Sequence, residues 1–347
     1  MNAAALVGLN SCVLAVTAAG AAYFGRVRMP RPPVGRYELP DVAVMYAVVV
    51  VAPLLYLVLP RAAVALVFGL VLCAALQFTL SPLTGGGWAW AVASASVATT
   101  AGLASANRPL AVMVLTDVLL AVAVVGVANM WVQSGMRSAH AAWFAGALAC
   151  YDLVATGLTS LMDRFADQVM GLPFAPLLAV TRGEPPVALG LGDLLLLVLF
   201  PLTAVKAFGR VAGLVAAGVG LAVSGAVSLL FGLGALTGAF PLLTALGPLI
   251  VLQHLFWVRA KGGERTVAEW RAGIPRPASA AVSTEPDPEL LRALEPAGAE
   301  KLIAQPSEGD WLAVIDGRVV GSGASPGQAR KDAGLRGFGS VPVVRQV

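Results

Sequence analysis

The stretch "ALGLGDLLLLVLFPLTAVKAF", Ala188 to Phe208, holds two ionisable side chains, Asp193 near its start and Lys206 near its end. Between them only Thr203 is polar. About 20 such residues in a helix reach across a hydrocarbon core roughly 30 Å thick. The stretch therefore reads as a membrane span. A carboxylate at mid-bilayer costs at least ~2.5 kcal/mol on insertion scales, so Asp193 needs a reason to be there.

The rest of the chain has the same character. Of its 347 residues 58% are hydrophobic and 12% charged, with a mean hydropathy of +0.81. A water-soluble domain of that composition would lack polar surface. Breakers and charges divide the chain into nine apolar intervals, near residues 3–24, 40–60, 62–80, 88–106, 109–132, 139–161, 187–208, 210–235 and 238–258. The fourth and eighth are rich in Ala, Ser and Gly, which suit close helix–helix contact. The expected fold is an all-α polytopic membrane protein of nine transmembrane helices, followed by a small α/β module. The first interval has no basic residues before it and reads as a retained span rather than a signal peptide.

The net charge of +4 does not point to nucleic acid, because the basic residues sit in loops and the tail. Alternate loops are unequal. One set carries Arg26, Arg28, Arg31, Arg36, Arg137, Lys206 and Arg210, with Arg259 and Lys261 after the last span; the other carries Arg61, Arg108, Arg164 and Arg182. The positive-inside rule then places the N-terminus outside and the C-terminus in the cytoplasm. Arginine outnumbers lysine and alanine is abundant, as in GC-rich prokaryotic genomes, so the membrane expected is a prokaryotic plasma membrane. Cys12, Cys73 and Cys150 all fall in spans with no CxxC spacing, and read as small buried apolar residues.

Three segments stand outside the spans. Between the sixth and seventh, "MDRFADQVMGLPFAPLLAVTRGEPP" places Asp163, Arg164 and Asp167 on one side of a short amphipathic stretch, and "GLPFAPLLAV" is too short to cross. This reads as an interfacial or re-entrant segment. Residues 259–308, rich in Pro, Glu, Ala and Ser, read as a flexible linker after the 1–258 membrane domain. In residues 309–347, "WLAVIDGRVVGSG" alternates around Asp316-Gly317, a hairpin signal. Ser325-Pro326 reads as a helix start and "VPVVRQV" as a strand, giving a ββαβ module on the cytoplasmic side.

Asp117, Asp152 and Asp193 lie inside apolar spans, and such residues mark functional sites or protonated helix–helix contacts. Asp117, in "VLTDVLL", is open between the two. Asp152 follows Tyr151 in "ACYDLVATG", and Asp193 ends "GLGD", where Gly190 and Gly192 leave room for another backbone or a substrate strand. Two carboxylates on facing helices can share one proton, leaving one acid and one base. Such a pair can activate water against a peptide carbonyl and protonate the departing amide nitrogen. No metal or other cofactor is called for.

Tyr151-Asp152 in the sixth interval and Gly190-Leu191-Gly192-Asp193 in the seventh resemble the paired YD and GxGD motifs of intramembrane aspartyl proteases, the presenilin and signal peptide peptidase family. That family has nine spans and a Pro-Ala-Leu motif in the ninth. Here "FPLLTALGP" offers Pro241-Leu242-Leu243, with Leu where Ala is expected, and Pro248 seven residues after Pro241, as in the signal peptide peptidase branch. The exterior N-terminus is also similar to that branch. The resemblance implies an intramembrane aspartyl endopeptidase with Asp152 and Asp193 as catalytic residues. Tyr151, Gly190, Leu191, Gly192, Pro241, Leu242 and Leu243 would then lie against the substrate, a transmembrane protein or peptide. Pro241 and Pro248 would free backbone groups to pair with an extended substrate.

Other chemistries find less in the chain. There is no HExxH, and the histidines are only His140 and His254, which leaves little for zinc. "AVSG", Ala222 to Gly225, lacks the first Gly of a rhomboid-like serine motif. Prepilin peptidases, which share GxGD, carry Lys where this chain has Leu195. The alternatives from other classes are a proton-coupled transporter, which should show paired broken helices in two halves, and an inactive membrane scaffold. The chain shows no such internal repeat.

Overall fold

The computed structural model describes residues 3–29, 39–179, 188–236, 240–265, 269–270, 311–315, 318–323, 328–329 and 343–345. The chain divides into two compact units, Met1–Ala278 and Ser279–Val347. In the first, ten α-helices follow one another: α1 (Ala3–Arg26), α2 (Leu39–Val58), α3 (Arg61–Thr84), α4 (Gly86–Ser105), α5 (Pro109–Gln133), α6 (Ser138–Asp152), α7 (Leu161–Val169), α8 (Leu191–Phe208), α9 (Arg210–Gly232) and α10 (Leu242–Lys261). A π turn, Leu153–Leu158, continues α6, and strands β1 (Leu177–Ala179) and β2 (Ala188–Gly190) precede α8.

Each expected interval holds one of these helices. Among the described residues eight helices are long and apolar enough to cross a membrane; α4, with its Ser, Thr and Gly content, is not among them. The helices are joined where the sequence supplies breakers. Pro109 stands in the first turn of α5, where a missing N–H costs nothing. Gly85 (φ 82°) and Gly209 (φ 100°) reverse the chain between α3 and α4 and between α8 and α9, in a backbone region that side chains avoid.

Helix α8 is the axis of the bundle. From Leu194 to Phe208 every residue except Leu195 and Val205 is buried, and its apolar side chains form one core with those of α1, α5, α6, α9 and α10. A second, smaller cluster joins α3, α4 and α5 around Phe174. Small residues bring the helices together. A Cβ on Gly247 of α10 would stand 2.6 Å from Ala149 Cβ and 2.7 Å from the Ala145 carbonyl oxygen of α6, while one on Gly220 would meet Leu197 of α8 at 2.8 Å. In lipid, where tails are as apolar as leucine, contact this close is what holds helices in register.

The two sets of charged loops lie at opposite ends of the bundle. At one end Gln133 ties α5 to the chain leaving α1: its Nε2 donates to Val27 O at 3.0 Å, and its Oε1 accepts from Met29 N at 3.0 Å. Nearby buried Lys206 Nζ donates to Val132 O at 3.0 Å and to Met136 O, carbonyls in the last turn of α5 and just beyond it. Glu264 accepts from the first N–H of α6, Ser138, at 2.8 Å. Arg265 donates to the carbonyls of Val205 and Lys206, both at 3.1 Å. At the other end Arg61 donates to Met170 O at 2.7 Å, and Gln168 to Leu59 O at 3.0 Å. Arg31, Arg36 and Arg182 lie outside the described residues.

Several expectations are corrected here. Residues 259–261, assigned to the linker, continue α10, Arg265 is bonded to the end of α8, and Trp270 stacks on Phe24 at 4.6 Å beneath the Arg28 guanidinium. Cys12 and Cys150 are exposed on the outside of the bundle rather than buried, because small residues also suit lipid-facing positions. The amphipathic stretch is α7, with Asp163, Arg164 and Asp167 exposed.

The second unit contains three antiparallel strands, β3 (Trp311–Ile315), β4 (Arg318–Gly323) and β5 (Val343–Arg345), in the order β4-β3-β5. The Asp316-Gly317 turn and most of the helix expected after Ser325 lie outside the described residues.

Candidate functional site

Asp193 is not in mid-helix. The run that begins at Ala188 first forms strand β2, and the helix starts only at Leu191, so Asp193 is the third residue of α8. Its carboxylate accepts the backbone N–H of Gly190, the residue that precedes the helix. This is half of a capping box, in which an acidic residue at the third position reaches back to the residue before the first turn. The bare N–H groups and the positive end of the helix dipole favour a carboxylate there. Gly190 is required by contact rather than by torsion: a Cβ on it would lie 2.9 Å from Asp193 Oδ2. Gly192 differs, since a Cβ there meets nothing within 4 Å.

Asp152 ends α6, at the point where the helix widens into the π turn. Such widenings often accompany functional positions, because they reorient side chains on one face. Its Oδ1 accepts from Thr156 Oγ1 at 2.9 Å, one turn ahead. Its Oδ2 accepts from Leu243 N at 3.0 Å, and the Thr244 N–H contributes as well. Leu243 is the second residue of α10, whose start is Pro241. Asp152 thus caps a helix 91 residues away in sequence. Pro241 corrects one expectation: it does not break a helix but begins one. Pro248 does lie inside α10.

The structure brings these residues together. Asp152, from α6, lies near enough to Asp193, from α8, for its charge to be felt there. Pro241, Leu242 and Leu243 stand at the start of α10 against Asp152, and Leu242 and Leu243 are buried. Gly190 and Leu191 lead into Asp193. Tyr151 is half-buried, and its hydroxyl is enclosed without a hydrogen-bond partner among the described residues. Among the described residues no three His, Cys, Asp or Glu side chains group to hold a metal ion. His254 Nδ1 instead meets Ser138 Oγ at 3.0 Å, at the far end of α6.

The hairpin before α8 supplies irregular backbone at this end of the bundle. Strands β1 and β2 pair antiparallel, with Leu177 opposite Gly190, Leu178 opposite Leu189 and Ala179 opposite Ala188. Leu191 N donates to Pro176 O at 3.0 Å. Bonded and non-bonded pairs alternate in such a ladder, so Ala179 and Ala188 turn their N–H groups outward. The N–H of Ala179 is taken by Asp117 Oδ1 of α5 at 3.0 Å, and that of Phe174 by Thr116 Oγ1 at 3.4 Å. Phe174 itself (φ 65°) is buried against Gly69. Non-helical backbone is tolerated at membrane depth only where protein satisfies it, and Thr116 and Asp117 do so here.

Thr156 and Thr116 were not singled out from the sequence. Thr156 stands four residues after Asp152, the helical spacing at which side chains meet, so it had a local signal. Thr116 had none.

The fold defines a helical protein whose apolar helices suit a multi-pass membrane protein, with Asp117, Asp152 and Asp193 each accepting backbone N–H groups within the bundle. No protein-family model matches the chain, and comparison with curated proteins and with solved structures gives no significant match.

Proposed function

We propose that this chain is an intramembrane aspartyl endopeptidase of nine spans, α4 included, resembling the presenilin and signal peptide peptidase family. One observation carries the reading: Asp152 and Asp193 come from neighbouring helices, lie near enough for the charge of Asp152 to be felt at Asp193, and each meet backbone N–H groups at the start of a helix. A carboxylate so held has a fixed direction and a compensating dipole.

In the proposed mechanism the pair holds one proton and a water between them. The unprotonated carboxylate takes a proton from the water as its oxygen attacks the scissile carbonyl carbon. The protonated partner gives its proton to the amide nitrogen as the C–N bond breaks, which leaves a new carboxyl and a new amine and returns the pair to a singly protonated state. The roles of acid and base belong to the pair. The substrate is a single-span protein or a signal-peptide-like segment, unwound locally beside the outward edge of β2, where main-chain pairing can hold it extended. No cofactor takes part. The protein works in a prokaryotic plasma membrane, with the N-terminus outside and the C-terminal module in the cytoplasm.

The rival supported by a specific observation is an inactive scaffold, because each aspartate already has a structural task as a helix cap. Asparagine caps a helix about as well as aspartate but cannot exchange the proton. Asp152→Asn and Asp193→Asn should therefore fold with wild-type thermal stability while cleavage of a single-span substrate in liposomes falls about a thousandfold. Cleavage undiminished in either variant would return both residues to the role of caps.

A further inference from the structure

Asp117 is the third carboxylate inside the bundle, and the proposed chemistry does not use it. It lies on α5, nine residues into the helix. Its Oδ1 accepts the backbone N–H of Ala179 at 3.0 Å. That N–H is on the edge of β1 facing away from β2. The other outward N–H of β1, from Leu177, is taken by Ala175 O at 2.8 Å. The outer edge of β1 is therefore already occupied. On β2 the outward N–H of Gly190 serves the Asp193 carboxylate, and the Gly190 carbonyl, at the N-cap of α8, belongs to the first turn of the helix. This leaves the N–H and carbonyl of exposed Ala188 facing away from β1. An exposed edge is a template for another strand.

We infer that Asp117 is a positioning residue: it stands in for a third strand on β1, so that an extended substrate can join the hairpin only at β2, beside Asp193. The two-residue reach of the effect is short. Ala179 is fixed to α5, Leu178 and Leu189 are paired and both buried, and Leu191 N is tied to Pro176 O. The start of α8 is thus located relative to α5 through three successive backbone contacts. Thr116, taking the Phe174 N–H from the preceding position of α5, acts on the chain three residues before the same strand. A carboxylate suits the task, because an ionised acceptor strengthens a hydrogen bond and repels a carbonyl of an incoming strand at β1.

The inference rests on the proposed proteolytic reading, so its test has an arm that needs no activity. Full-length protein in liposomes carries Asp117→Asn, which keeps an acceptor oxygen, or Asp117→Leu, which removes it. Hydrogen exchange is followed at residues 177–179 and 188–191. With a single-span peptide substrate, kcat and KM are measured separately. The Leu variant should exchange faster by about tenfold in both strands and lose about tenfold in kcat with KM little changed, while Asn stays near wild type in both measurements. Strand exchange at the wild-type rate in the Leu variant, or an Asn variant as damaged as Leu, overturns the inference. Should the Asp152→Asn and Asp193→Asn variants still cleave, the proteolytic reading fails instead, and the exchange data still decide whether Asp117 holds the hairpin.

Discussion

Gly190 and Gly192 flank Leu191 at the start of α8, yet the surroundings of the two are unlike. A methyl group on Gly190 would press on Asp193 Oδ2 at 2.9 Å, and the atom that must give way is the far end of a side chain that can rotate. Gly190→Ala should therefore fold with little loss of thermal stability while the displaced carboxylate lowers kcat about tenfold or more, since small misplacements of a reacting group are expensive. Gly192→Ala meets nothing within 4 Å and should leave both the unfolding midpoint and the proton-sharing geometry unchanged. Equal activity in the two variants would sever Gly190 from the site. At this scale the sequence was informative for a physical reason: an ionisable group in an apolar run is costly, so Asp117, Asp152 and Asp193 announce themselves. Their partners do not. The N–H that Asp152 accepts belongs to Leu243, 91 residues on, and nothing local in either segment encodes the meeting.

At the scale of elements, hydropathy located the helices because lipid demands length and apolarity of each one separately. It misplaced the start of the seventh interval by four residues, 187 against 191, since Ala188, Leu189 and Gly190 are as apolar as the helix that follows, and a short apolar run carries no period that separates strand from helix. What fixes that boundary is β1, which pairs with β2 and whose outward Ala179 N–H is taken by Asp117 of α5. The junction of α6 with α10 is likewise a tertiary event. Gly247 lets α10 approach so closely that a Cβ would lie 2.7 Å from a backbone oxygen, Ala145 O, which cannot rotate away. Gly247→Ala should destabilise the bundle by about 1–3 kcal/mol, lower the unfolding midpoint, and draw the Leu243 N–H away from Asp152. Gly218→Ala on the exposed face of α9, with nothing within 4 Å of the added carbon, is the matched control. A Gly247→Ala protein as stable as that control would show that α6 and α10 do not depend on this contact.

For the membrane bundle, the buried and half-buried charges among the described residues follow one rule: each meets backbone groups that a helix or strand end leaves unsatisfied. Lys206 serves the end of α5, Glu264 the start of α6, Arg265 the end of α8, Asp152 the start of α10, Asp193 the start of α8 and Asp117 the edge of β1. The basic members and Glu264 are gathered at one end, with Arg26, Arg28, Arg137, Arg259 and Lys261 beside them, whereas Arg61 and α7 with Arg164 lie at the other. The loop-charge imbalance legible in the sequence is therefore a real separation in space, which is the condition under which the positive-inside rule has force. It predicts an orientation that can be checked without any substrate. In a background lacking Cys12, Cys73 and Cys150, a cysteine replacing exposed Asp163 on α7 should react with a membrane-impermeant maleimide added to intact cells. One replacing exposed Lys261 at the end of α10 should react only after the membrane is opened. The reverse pattern would place the Asp152–Asp193 end toward the cytoplasm and require substrates to be approached from that side. Labelling of both from one side would contradict the arrangement of the helices, because α10 ends where α7 does not.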